Sequence, residues 1–214
     1  MKTGRRILKL LWILVSIVVV LVGWFIWSAH RVPIQRAART FSAPAMRYDL
    51  GKVLVVYYSS TGNTAEAAQR ICAMTNGSLL EIETQEPYPA APMLFVRAKL
   101  DQSNSKYPVL KTALPDFAAY DVIFVGSPVW WSSIALPMLS LLSHSDFGGK
   151  TVIPFCTQGG GSGDFFLRFA REARNAKLAE GIAFSGVSKI APSDLDQKIS
   201  SWLSAIALKA SRSP

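Results

Sequence analysis

The sequence predicts a doubly wound α/β domain on a five-stranded parallel sheet, preceded by one transmembrane helix and a linker. Three observations carry this expectation. From residue 52 on, short apolar runs alternate with helix-patterned segments, the rhythm of βαβ units. Runs such as Val53-Leu54-Val55-Val56 lack polar alternation, as strands buried on both faces do. Near the N-terminus, an 18-residue stretch carries no charge at all.

That stretch, residues 10–27, reads LLWILVSIVVVLVGWFIW. At ~1.5 Å per residue it covers most of a ~30 Å hydrocarbon core. Trp12 near one end and Trp24, Phe25 and Trp27 near the other suit interfacial aromatic belts. A buried core helix and a cleaved signal peptide are the rival readings. The run is longer than a ~7–15-residue signal core, and Ser28-Ala29-His30 is a poor cleavage site, which favours an uncleaved anchor over residues 1–29. Lys2, Arg5, Arg6 and Lys9 precede the span, and Arg31, Arg36 and Arg39 follow it. The positive-inside rule leans to a cytoplasmic N-terminus and a domain outside. Arg5-Arg6 also partly resembles a twin-arginine signal. Residues 30–50, with Pro33 and Pro44 and little periodicity, read as a linker, and the domain is expected over residues 51–214.

The net charge of +9 has an address. Residues 1–52 hold nine basic side chains against Asp49, which is +8, and the rest of the chain is close to neutral at +1. The basic balance therefore speaks of lipid and topology. No Lys/Arg run interleaved with aromatics supports nucleic-acid binding. Two cysteines make no disulfide framework, and His30 and His144 are too far apart to suggest a metal site.

Within the domain, strands are expected at residues 53–58, 79–83, 122–125, 151–155 and 182–184. Helices are expected over 64–75, 136–143 and 165–175, and a last one carries Leu195, Ile199, Trp202, Leu203 and Ile206 on one face behind Ser193 as N-cap candidate. In such a sheet, ligands sit beyond the carboxyl ends of the strands. Three loops lie there. Ser59-Ser60-Thr61-Gly62-Asn63-Thr64 joins a strand to a helix N-terminus, where free N–H groups and hydroxyls can wrap a phosphate. It is neither a Walker A loop nor a GxGxxG turn, and an ordinary N-cap with a polar turn is the plainer reading. Gly126-Ser127-Pro128-Val129-Trp130-Trp131 sets two tryptophans side by side, for the core or for a flat wall against a ring ligand. Thr157-Gln158-Gly159-Gly160-Gly161 allows close backbone approach to a ligand, or a flexible loop.

Taken together, SSTGNT at residues 59–64, GSPVWW at 126–131 and GKTVIPFCTQGGGSG at 149–163 resemble the flavodoxin-like family. Glu86-Pro87-Tyr88-Pro89, ahead of an inserted helix, and Tyr120-Asp121-Val122-Ile123 are similar to it as well. The resemblance implies strand order 2-1-3-4-5 and non-covalent FMN. By position it implies that Ser59, Ser60, Thr61, Gly62, Asn63 and Thr64 hold the ribityl phosphate. Pro128, Val129, Trp130 and Trp131 would line one side of the isoalloxazine, and Thr157, Gln158, Gly159 and Gly160 the other. Unlike the strongly acidic soluble shuttles, this domain is nearly neutral.

The expectation is a membrane-anchored FMN-binding oxidoreductase passing electrons to a redox partner protein or a quinone-like acceptor, with the lipid bilayer as its other partner. Two alternatives stand beside it: an NAD(P)H-dependent FMN reductase acting on a quinone-like substrate, and a flavodoxin-fold binding or assembly module without catalysis.

Overall fold

A computed structural model describes Trp12, Ser16, Ile17 and residues 47–210. The chain divides into two units, Met1–Ala37 and Ala38–Pro214. In the first, Trp12, Ser16 and Ile17 are helical and exposed, and the Ser16 hydroxyl donates to the Trp12 carbonyl at 2.8 Å. The rest of the expected anchor lies outside the described residues. Among the described residues, no helix is long and apolar enough to cross a membrane.

Among its described residues the second unit carries seven strands, not the expected five. They are β1 (Val53–Tyr57), β2 (Ser78–Glu81), β3 (Val122–Trp130), β4 (Ser133–Ile134), β5 (Thr151–Gln158), β6 (Lys177–Leu178) and β7 (Ile182–Ser185). The helices are α1 (Asn63–Thr75), α2 (Met93–Ser103), α3 (Leu136–His144), α4 (Phe165–Glu172) and α5 (Pro192–Ala210). The sheet runs β2-β1-β3-β5 with β6 and β7 both parallel to β5, so the order follows the 2-1-3-4-5 path if these two count as one interrupted edge strand.

Both extra strands have physical causes. The edge strand breaks between Leu178 and Ile182. The Ala179 N–H still reaches the Val152 carbonyl at 3.1 Å, so Val152 faces that edge and, two residues on, so does Pro154. A proline has no N–H to donate, so the ladder lapses opposite it and resumes at Phe155↔Ile182. The other addition, β4, arises because β3 does not stop at Val125. Gly126, Ser127 and Pro128 pair with Phe155, Cys156 and Thr157, and Val129 and Trp130 fold back onto Ile134 and Ser133.

Side chains alternate across this sheet as period two demands. Leu54, Val56, Ile123, Val125 and Val152 meet α2, α3 and α4 on one face. Val53, Val55, Phe124, Ile153 and Phe155 meet α1 and α5 on the other. Arg70 of α1 is almost wholly buried and ties the second layer together, donating to Glu66 at 3.2 Å, to the Pro192 carbonyl at 3.3 Å and to Asp196.

Three boundaries differ from expectation. Tyr48, upstream of the expected start at residue 51, is buried in the core, with its N–H on the Met74 carbonyl at 2.8 Å. The fourth helix ends at Glu172, short of Asn175, because the carbonyls of Arg174 and Asn175 accept from the N–H groups of Phe147 and Gly149. The last helix starts at Pro192, whose fixed φ suits a first helical position, so Ser193 lies inside the helix and is not its cap.

Candidate functional site

β1, β3 and β5 are adjacent and parallel, so the segments that follow them converge on one edge of the sheet. The Tyr58 N–H donates to the Gly126 carbonyl at 3.0 Å, which joins the first segment to the second. Pro128 pairs with Thr157, which joins the second to the third. The Thr64 and Thr157 hydroxyls meet at 2.7 Å, buried, and join the first to the third directly.

In the first segment Ser59 is buried, and its hydroxyl accepts from the Gly62 N–H at 3.1 Å. Ser60, Gly62 and Asn63 are half-buried and Thr61 is exposed. The Asn63 amide donates to the Thr61 hydroxyl at 3.4 Å. Gly62 caps α1 at φ +91°, a conformation that glycine enters without a Cβ penalty. It brings no side-chain oxygen to the helix end, so no side chain caps the first N–H groups of α1. A Cβ placed at Gly62 would meet nothing within 4 Å. The plainer expectation of a side-chain N-cap is therefore not met. The helix N-terminus carries no side-chain cap, and the space beside Gly62 is open.

The two tryptophans part. Trp130 is buried, edge-on to Tyr58 at 5.5 Å and to Tyr88 at 4.9 Å. Trp131 is half exposed, its indole N–H donating to the Phe95 carbonyl at 3.0 Å and the Lys99 ammonium lying 5.4 Å from its ring centre. They part because Trp131 and Ser132 form a two-residue hairpin turn with φ of 49° and 63°. Such turns favour Asn-Gly. A tryptophan and a serine there store roughly 1–3 kcal/mol of strain each. The surroundings hold the turn: the Asp164 N–H donates to the Ser132 carbonyl at 2.8 Å, and Arg168 donates to the Ser133 hydroxyl at 3.4 Å. Gly163 allows this close approach, since a Cβ there would lie 2.0 Å from the Ser132 carbonyl oxygen. Pro128 and Val129 are half-buried on the strand before the turn.

In the third segment Thr157 is buried, and the Gln158 side chain accepts from the Gly161 N–H, curling the loop back on itself. Gly159 and Gly160 are exposed, with open space where their Cβ atoms would be. Cys156, directly beneath, is fully buried, and burial pushes its thiol up to about 12. Burial likewise raises the Tyr58 hydroxyl, helped by Glu81, so it stays protonated behind the site. For Tyr88 burial comes first, then the hydrogen bond it donates to Asp101 at 3.0 Å.

The sequence reading missed Tyr58, Tyr88 and Ser127 as supports. The Ser127 hydroxyl accepts from the Ala135 N–H at 3.2 Å and fixes the exit of the hairpin. A serine directly before a proline was the available signal. No cluster of His, Cys, Asp and Glu fit for a metal occurs among the described residues.

The comparisons with known proteins agree with this fold. A family model for flavodoxin matches residues 52–202. A flavoprotein from Lactobacillus acidophilus, solved in complex with FMN, is 27% identical with a TM-score of 0.56, over 62% of this chain and 93% of its own. Proteins assigned to the flavoproteins from Bacteroides uniformis and Bacteroides eggerthii are 32% and 29% identical, with TM-scores of 0.59 and 0.61. They cover 70% and 73% of this chain and 98% of their own. An NAD(P)H dehydrogenase (quinone) from Cupriavidus metallidurans is 32% identical over 99 residues, 45% of this chain and 47% of that one, so the match spans about half of the curated relative.

Proposed function

The chain belongs to the flavodoxin family, and from that premise we propose that it binds FMN at the edge formed by β1, β3 and β5 and works as a membrane-tethered redox protein. The observation that carries the reading is the uncapped N-terminus of α1, opening at Gly62 and tied by the Thr64–Thr157 bond to the glycine segment. The residues fit the group. A dianion needs N–H and O–H donors, and the first turn of α1 with Ser59, Ser60, Thr61, Asn63 and Thr64 offers both. A planar ring needs open flanks, and Gly159 and Gly160 leave space on one side while Pro128 and Val129 form the other, with Trp131 at its rim.

FMN, when bound, supplies the uptake and release of electrons. The chain's own residues do the rest. If the Thr157 hydroxyl donates to Thr64, the Thr64 proton is free to point at the phosphate. The backbone of residues 157–160 offers hydrogen bonds to the ring's polar end. Trp130, braced by Tyr58 and Tyr88, supports the hairpin from behind and keeps water out of the strand ends. Protonated Tyr58 and Cys156 add no charge beneath the site.

The tether rests on residues 10–27, uncharged, apolar and flanked by basic side chains. A tether raises the effective concentration toward membrane partners, which suits a redox protein or quinone-like acceptor in the bilayer. A second reading, an NAD(P)H-dependent reductase of quinone-like compounds, is favoured by the partial likeness to the Cupriavidus dehydrogenase. FMN titration of the full chain against Thr61→Ala/Thr64→Ala tests the site, and equal affinity refutes it. Stopped-flow mixing of the FMN-loaded protein with NADPH separates the readings: direct reduction favours the reductase, and reduction only through a partner protein favours the shuttle.

A further inference from the structure

Helix α2 buries Leu94 and Ala98 against the core but leaves Met93, Phe95, Val96 and Leu100 about half exposed or more. Trp131 extends this apolar face, joined to it through the Phe95 carbonyl. A strained turn holds the tryptophan outward, so its exposure is imposed by the fold and is not a loose end. The charges on this face are uneven. Arg97 is matched by Glu86 at 2.9 Å and by Asp101 at 3.5 Å. Lys99 instead lies over the Trp131 ring, a cation set within the apolar side chains.

We propose that this face docks on an anionic lipid bilayer. Met93, Phe95, Val96, Leu100 and Trp131 enter the boundary between headgroups and acyl chains, and Lys99 meets lipid phosphates. The inference rests on the tether proposed above. Aromatic and aliphatic side chains around a snorkelling lysine are what an interfacial helix presents to lipid. The length of chain permits it: the 19 residues 28–46 can span at most ~65 Å. Any face of a domain this size can then reach the surface, and an apolar face with a cation is the one that gains from doing so. Trp131 directly follows Pro128–Trp130 on the hairpin, so docking sets the rim of the proposed FMN site at the membrane. A lipid-soluble acceptor then reaches that rim without crossing water.

The test uses the full chain in phosphatidylcholine–phosphatidylglycerol vesicles with brominated acyl chains. A bimane label at Leu100→Cys and, separately, at Val96→Cys reports contact with lipid, in a Cys72→Ala background. A label at Gln197→Cys, exposed on α5 across the sheet, is the control. Quenching of about twofold at residues 96 and 100, with none at 197, is the expected result. Vesicles that float with the protein while all three labels stay bright overturn the docking and leave the tether standing. A protein that stays out of the floated vesicles overturns the tether and the docking with it. Bright labels at 96 and 100, together with cross-linking between two copies of the unlabelled Leu100→Cys protein, overturn the docking in favour of a dimer.

Discussion

Replacing Thr157 by valine removes one hydroxyl and little volume. In the native chain that hydroxyl lies 2.7 Å from the Thr64 hydroxyl, and both side chains are buried, at 6% and 1% exposure. Thr157→Val deletes the bond and strands a buried hydroxyl at Thr64, a loss of about 1–3 kcal/mol. For a domain of this size that lowers Tm by about 3–9 °C. Thr64→Val has the same stability effect by the same logic. The double variant removes both hydroxyls, strands neither, and is expected to melt above the sum of the two single losses by about 1–2 kcal/mol of coupling. FMN affinity separates the residues. Thr64→Val loses a charge-assisted hydrogen bond to the phosphate and binds FMN about tenfold or more weakly, and the double variant is equally weak although about as stable as either single variant. Thermal melting of the apo protein and fluorescence titration with FMN check both halves. Additive melting shifts, within about 0.5 kcal/mol, refute the reasoning, as does FMN affinity that follows stability through the series.

Other substitutions probe the scaffold. Gly126→Ala drives a methyl to within 2.1 Å of the Phe155 ring and is expected to cost at least about 1–3 kcal/mol in denaturation. Gly163→Ala collides with the Ser132 carbonyl, so it releases the strained turn and changes the fluorescence of Trp131. Arg70→Ala strips Glu66 and Asp196 of their buried partner and costs about 2–4 kcal/mol. Burial raises the Cys156 thiol to about 12, so the folded state keeps a proton that the unfolded chain releases. Its contribution to stability is complete below the ordinary thiol range and falls as pH rises from that range toward 12, and a thiol reagent at mildly alkaline pH labels Cys156 only after unfolding.

Much of the fold was legible because burial on both faces writes itself as unbroken apolar runs, as in Val53–Val56, Val152-Ile153 and Phe155. The parts that were not legible turn on backbone bonding, which composition does not encode. Gly126-Ser127-Pro128 has the composition of a loop, yet its backbone continues the ladder beside β5. The split edge strand follows from which way one missing N–H points at Pro154, a matter of register. At the site, the three segments were found from strand endings and motif chemistry together. The fate of the two tryptophans was beyond reach, because it depends on positive φ at Trp131 and Ser132, where the residue types predict the opposite. The Thr64–Thr157 bond joins residues 93 apart, and only the adjacency of β1, β3 and β5 brings them together.

FMN binding at this edge of the sheet, as proposed, can be tested directly. The most direct measurement is the visible absorbance of the full chain purified in detergent, with FMN added where needed, before and after dithionite. The expected result is a flavin spectrum that stays with the protein through gel filtration, bleaches on reduction, and is lost in Thr61→Ala/Thr64→Ala. A protein that stays colourless and returns added FMN in the small-molecule fraction contradicts it.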